Sequence, residues 1–237
     1  MKIAIVYKSL TGNTAMVAEA LKEALKEKGP VYFGPPEGCP EAELYFVGSW
    51  TDKGSCAGEI GEFLRSLENK KAALFGTAGF GGSEEYFRVL SARAAENLGR
   101  GCTFLGSFYC QGKMPPSVRA RYEALLRDNP GDKRAATSIE NFDAALSHPD
   151  RADLEKAKSW ALAMFAASAE KEGGSPCGPA PCADISHYPL DFWEQIKTSA
   201  FILKAEVFLM PFQRAAIGQA TNDPCKAHDG VAYHKGD

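Results

Sequence analysis

Ser9-Leu10-Thr11-Gly12-Asn13-Thr14 separates an apolar run, Ile3 to Tyr7, from an amphipathic stretch, Val17 to Leu25. An apolar run that passes through a polar turn into a helical period is typical of a buried strand followed by a helix. The turn has three hydroxyl side chains, and Gly12 lets the main chain bend tightly. Because the first N–H groups of a helix have no intrahelical acceptor, the turn predicts a concave site for an anion.

The composition of this turn narrows the kind of anion. It lacks the lysine that a nucleoside-triphosphate loop uses, and the dinucleotide pattern Gly-x-Gly-x-x-Gly is also absent. A neutral, hydroxyl-rich turn suits one terminal monoester phosphate. The alternative is a polar turn in which a Thr or Asn merely caps the helix.

Further apolar runs alternate with helical periods up to about residue 170. The predicted strands after the first are Val31–Phe33 at an edge, Leu44–Val47, Ala72–Phe75 and Cys102–Tyr109. The predicted helices after the first are Ile60–Leu67, Phe87–Leu98 and Leu154–Ser168. This alternation predicts an α/β fold, with a parallel sheet covered by helices on both faces.

Composition excludes several classes of protein. The 237 residues are 45% hydrophobic and 24% charged, which argues against wholesale disorder. A net charge of −3 argues against a nucleic-acid partner bound through its phosphates. No apolar run is long enough to span a membrane, and no secretion signal is present, so we expect a cytoplasmic protein. The seven cysteines have no disulfide-framework spacing and are expected to be reduced.

The pattern Ser-x-Thr-Gly-Asn-Thr after a first strand resembles the phosphate loop of the flavodoxin family, whose ligand is flavin mononucleotide (FMN). The resemblance covers a domain of residues 1–171. It implies a flavodoxin-like three-layer sandwich with a five-stranded parallel sheet in the order 2-1-3-4-5. It also implies FMN at the carboxyl ends of the strands, around the point where the strand order reverses.

Two further loops match the family. In flavodoxins the loop after the third strand supplies an aromatic ring against the isoalloxazine and a peptide near flavin N5, here Trp50 and the Thr51–Asp52 peptide. The loop after the fourth strand binds the pyrimidine end through main-chain groups and adds a second aromatic, here Phe80. The implied FMN-binding residues are Ser9, Leu10, Thr11, Gly12, Asn13, Thr14, Ser49, Trp50, Thr51, Asp52, Lys53, Gly54, Thr77, Ala78, Gly79, Phe80, Gly81 and Gln111.

The family resemblance implies a redox protein that exchanges electrons with a protein partner, such as a dedicated reductase. The chain departs from typical carriers in its nearly balanced charge over residues 1–170 and in a longer connection from Pro115 to Pro149. An alternative is an FMN-dependent oxidoreductase that uses NADH or NADPH and a quinone-like acceptor. A third alternative is an interaction protein that has lost the ligand.

Residues 172–237 form a separate C-terminal extension. A linker rich in Pro, Gly and Cys spans 172–182, and helical spacing follows from Phe192 to Leu203. The extension can pack on its own domain, join two chains into a homodimer, or dock another protein. Its Cys177, Cys182 and Cys225 have the right atoms for a metal, but their spacing fits no standard site, so we predict none.

Overall fold

The computed structural model describes residues 1–81 and 83–170. The predictions for the linker, the helical extension, its cysteines and a homodimer through it lie outside these residues. Gly82, in the loop after the fourth predicted strand, lies outside them as well.

Five parallel strands form the sheet, and a sixth short strand pairs antiparallel with one of them. The parallel strands are β1 (Ile3–Tyr7), β2 (Tyr32–Gly34), β3 (Leu44–Asp52), β5 (Lys71–Ala78) and β6 (Thr103–Gln111), and the short one is β4 (Ser55–Cys56). Their order is β2-β1-β3-β5-β6, with β4 beside β3. Counting the parallel strands alone, this is the order 2-1-3-4-5 that the sequence predicts. That prediction is confirmed.

Six α-helices accompany the sheet in the described residues, and four of them, the first three and the last, pack on its two faces. The six are α1 (Asn13–Leu25), α2 (Gly58–Ser66), α3 (Glu84–Ala95), α4 (Pro116–Asp128), α5 (Lys133–Ala145) and α6 (Arg151–Glu170). Ile3 and Ile5 of β1 belong to a core with α1 and α6, whereas Ala4 and Val6 belong to a core with α2 and α3. Successive strand residues face opposite sides of a sheet, so nearly continuous apolar strands produce this three-layer sandwich.

The strands continue beyond the apolar runs that predicted them. Strand β3 pairs with β5 as far as Trp50 and Thr77, and it ends only at Asp52. The ladder uses main-chain groups, so the polar residues at the strand ends still pair. Lys53 and Gly54, with φ of 48° and 80°, then turn the chain back into β4. The expected loop after the third strand is therefore a strand end and a tight hairpin.

Helices α4 and α5 occupy the connection after β6, where the sequence predicts no regular element. Only Tyr122 of α4 is buried, so this helix lacks a clear apolar stripe. The buried positions of α5 are mostly small: Ala135, Ser138, Phe142 and Ala145. Periodicity is a weak signal when the buried face has so few large apolar side chains.

Helix α6 begins with a reciprocal cap. Asp150 Oδ1 accepts the Asp153 N–H at 2.8 Å, and Asp153 Oδ2 accepts the Asp150 N–H at 3.0 Å. His148 Nδ1 lies 2.5 Å from the same Asp153 oxygen, next to the cis His148–Pro149 bond. Within the described ranges, no helix is both long and apolar enough to cross a membrane.

Candidate functional site

The turn between β1 and α1 presents main-chain donors at its helical end. Gly12 precedes the helix with φ of 88°, a left-handed conformation that favours glycine. Ser9 Oγ accepts the Ala15 N–H at 3.2 Å, and the Gly12 carbonyl accepts the Met16 N–H at 3.0 Å. The N–H groups of the first two helical residues have no acceptor among the described residues. They lie at the positive end of the helix dipole, where an anion is stabilised.

Asn13 ties this turn to the chain that follows β6. Its Nδ2 donates to Thr11 Oγ1 and to the Lys113 carbonyl, both at 2.9 Å. A carbonyl only accepts, so this contact fixes which way the amide points. The Oδ1 atom is buried, and it has no partner among the described residues. A buried acceptor of this kind suits a ligand or water that brings an O–H or N–H donor.

Thr77, near the end of β5, links the first two predicted loops. Its hydroxyl lies 2.9 Å from that of Thr14, and both residues are buried. Its carbonyl accepts the Thr51 hydroxyl at 3.1 Å. When Thr77 donates to Thr14, the Thr14 proton is left to donate to a third group. The ends of β1, β3 and β5 therefore converge, as the sequence predicts.

The β3–β4 hairpin holds the residues predicted after the third strand. Ser49 is buried, and its hydroxyl accepts the Ala57 N–H at 2.8 Å and donates to the Trp50 carbonyl at 2.7 Å. Trp50 is half-buried, and Lys53 is exposed at the turn. The Gly54 carbonyl accepts a hydrogen bond from Arg93 of α3 at 3.3 Å.

The loop after β5 meets a side chain that sequence analysis missed. The Gly79 carbonyl accepts Asn141 Nδ2 of α5 at 3.0 Å and Gln111 Nε2 at 3.3 Å. Phe80 and Gly81 are half-buried, and Ala78 ends the strand beneath them. No motif marks Asn141, which lies on a helix whose buried face is made mostly of small residues. A prediction of α5 would have been needed to find it.

Burial keeps the ionisable groups around β6 protonated. It raises the pKa of Tyr86 to about 12 and raises that of Tyr109 as well. Burial also raises the pKa of the Cys110 thiol, with a further contribution from the carboxylates at the start of α6. The Cys56 thiol has its pKa raised by burial too. Neither thiol is activated as a thiolate nucleophile.

The order of the strands and the convergence of loops at their carboxyl ends define a class of protein. The chain belongs to the flavodoxin domain family, which matches it over residues 4–161. FMN is accordingly its cofactor.

Two similar sequences are both described as the flavodoxin-like domain-containing protein BilS. One, from Clostridium symbiosum, is 41% identical over 173 residues, covering 65% of this chain and 90% of that protein. The other, from Clostridioides difficile, is 29% identical over 172 residues, and the match covers 70% of this chain and 97% of that protein.

Solved structures of flavodoxins resemble the described fold at low sequence identity. A short-chain flavodoxin associated with a non-canonical PDU bacterial microcompartment has a TM-score of 0.45 and 16% identity, covering 71% of this chain and 99% of that one. Flavodoxin 2 from Bacillus cereus has a TM-score of 0.43 and 19% identity, and the match covers 70% of this chain and 99% of that one.

The donors and acceptors at the turn fit FMN. Its phosphate matches the unpartnered N–H groups at the start of α1, because anions are favoured at that end of a helix. Its ribityl hydroxyls supply the kind of donor that the buried Asn13 Oδ1 lacks. A side chain at Gly79 would collide with Met114, so the main chain runs close to its neighbours there.

Proposed function

We propose that this chain is an FMN-containing electron carrier that exchanges electrons with a protein partner. The observation that carries the proposal is the hydrogen-bonded junction at Thr77, where the ends of β1, β3 and β5 meet. A ligand with an anionic end and a flat end suits this junction, because one strand end leads to helix N–H groups and another carries the half-buried Trp50.

Each loop has a part in holding the cofactor. Residues 9–14 bind the phosphate, Trp50 and Phe80 flank the ring, and the Thr51–Asp52 peptide lies at flavin N5. The main chain of residues 77–81 binds the pyrimidine end. Bound FMN supplies the redox chemistry, and the protein supplies binding, orientation and electrostatics.

The charge balance of the domain bears on how a protein partner would dock. The nearly balanced charge of residues 1–170 favours docking by shape and apolar contact over long-range steering.

The rival to a carrier is an FMN-dependent oxidoreductase with its own nicotinamide donor. We would measure oxidation of NADH and of NADPH by the purified holoprotein with a quinone acceptor, against an equal concentration of free FMN. The carrier proposal predicts no rate above free FMN, because reducing equivalents must arrive through a partner. Steady turnover by the protein alone would contradict it.

A further inference from the structure

Helices α4 and α5 bring an amide side chain to the loop after β5. Asn141 Nδ2 donates to the Gly79 carbonyl at 3.0 Å, and Gln111 Nε2 donates to the same carbonyl at 3.3 Å. The two amides are also joined, because Gln111 Nε2 lies 3.2 Å from Asn141 Oδ1. These contacts form a closed ring of hydrogen bonds between the β5 loop, the end of β6 and α5.

Close packing supports this hydrogen-bonded ring. A Cβ at Gly79 would lie 2.4 Å from Met114 Cγ, and one at Gly81 would lie 3.0 Å from Gln111 Cγ. Both distances are shorter than ordinary carbon contacts, so the main chain of the loop lies directly against these side chains. The loop is therefore held by packing as well as by its carbonyl.

Helix α5 is itself anchored. Asp132 caps it by accepting the Arg134 N–H at 2.9 Å, and Phe142 is buried next to Asn141 in the chain. Arg119 of α4 pairs with Asp143 and lies 5.8 Å from the centre of the Phe142 ring. The two helices thus fix the backbone that carries Asn141.

The ring of hydrogen bonds controls one peptide group. The Gly79 carbonyl and the Phe80 N–H belong to the same planar trans peptide, and they point in opposite directions. Fixing the carbonyl on Asn141 and Gln111 therefore directs the Phe80 N–H away from them. A loop that is ordered before binding loses less conformational entropy when a ligand arrives.

We propose that Asn141 is a positioning residue that, with Gln111, orders the main chain of Gly79–Gly81 to receive the pyrimidine end of FMN. This inference rests on the proposed function, which assigns the pyrimidine end of the flavin to this loop. Helices α4 and α5 then serve as a brace for the cofactor, and their long connection is explained by the side chain that they deliver.

The test compares three ligands: riboflavin has the isoalloxazine ring, inorganic phosphate has the phosphate, and FMN has both. We would prepare full-length Asn141→Ala and the isosteric Asn141→Asp, which keeps the acceptor for Gln111 but loses the donor to Gly79. Glu140→Ala, at the exposed neighbouring position on α5, is the matched control. Dissociation constants are measured for FMN and for riboflavin, and inorganic phosphate is measured as a competitor of FMN.

Each Asn141 variant is expected to weaken FMN and riboflavin to an equal degree. Asn141→Ala loses the donor to Gly79 and the acceptor for Gln111, and Asn141→Asp places a carboxylate oxygen against the Gly79 carbonyl, so the loss is at least about fivefold. The affinity for inorganic phosphate should stay unchanged in both Asn141 variants. Glu140→Ala should bind all three ligands with the affinities of the parent protein. Unchanged flavin affinity in Asn141→Asp would overturn the inference. An equal loss of phosphate affinity would also overturn it, because it would show a general structural defect. If the parent protein itself fails to bind FMN, the proposed function falls instead.

Discussion

The hydroxyls of Thr14 and Thr77 show how single side chains organise the site. They lie 2.9 Å apart and are shielded from water, so one of them donates to the other. With Thr77 as donor, Thr14 keeps a proton for the phosphate that we propose binds at this turn. A hydrogen bond to a charged oxygen is stronger than one between neutral groups, so this proton is of most use when FMN is bound.

Replacing Thr11 and Thr14 together by Ala is expected to weaken FMN binding by about 3 kcal/mol, roughly a hundredfold, since two donors to a dianion are lost. Riboflavin, which lacks the phosphate, should bind the variant and the parent protein almost equally. Fluorescence titrations with both ligands measure the two effects. An equal loss for riboflavin would show that the threonines support the fold and do not contact the phosphate.

The half-buried Tyr86 predicts sensitivity to alkaline pH. The pKa of Tyr86 is about 12 in the folded protein and near 10 in the unfolded chain. Burial favours the protonated form, so stability is fully present below pH 10 and falls as pH rises towards 12. The free energy of unfolding should fall by at most about 1.4 kcal/mol per pH unit for this tyrosine.

Tyr86→Phe should make that fall shallower, because Phe has no proton to lose. Denaturant unfolding at several values between pH 9 and pH 12 measures the slope for both proteins. Tyr45→Phe provides the comparison with a tyrosine that is fully buried. Parallel slopes for the parent protein and Tyr86→Phe would contradict the assignment of the alkaline transition to Tyr86.

At the scale of elements, the sequence predicts the sheet better than its edges. Strands β1, β3 and β5 are almost continuously apolar, and such runs are typical of strands buried on both faces. Their polar ends escaped prediction, because residues such as Ser49 and Thr77 extend the strands through main-chain pairing. Helices α4 and α5 escaped it because they bury few large side chains. The loops after β1, β3 and β5 could be predicted because they follow apolar strands. Asn141 could not, because it lies on α5.

The contact between the α1 turn and the chain after β6 can be tested at Gly112. A Cβ there would lie 2.7 Å from Asn13 Nδ2, so Gly112→Ala must displace the amide that links the turn to Lys113. We expect FMN to bind about tenfold more weakly, because the displaced Asn13 no longer holds the turn ready for the ligand. Gly58→Ala is the matched control, since a Cβ at Gly58 meets nothing within 4 Å. Isothermal titration calorimetry gives the affinities, and equal values for the two variants would contradict the role assigned to Asn13.

At the scale of the whole molecule, the residues that we propose to bind FMN all lie in the described part of the chain, before the C-terminal extension. The three loops, their junction at Thr77 and the brace formed by α4 and α5 all lie before residue 171. The family match likewise ends at residue 161. We therefore propose that residues 1–171 form the FMN-binding domain and that the extension serves another purpose.

A chain truncated after Lys171 is expected to stay monodisperse and to bind FMN with the affinity of the full-length protein. Size-exclusion chromatography and an FMN titration of both forms provide the measurement. Aggregation of the truncated chain would show that the extension covers apolar surface of the domain. A large loss of affinity would place part of the cofactor site beyond residue 171.

The position of the phosphate in a crystal structure of the holoprotein tests the central claim most directly. We predict phosphate oxygens within hydrogen-bonding distance of the N–H groups of Asn13 and Thr14, with the ring between the ends of β3 and β5. A flavin whose phosphate lies away from the turn at residues 9–14 would contradict the account.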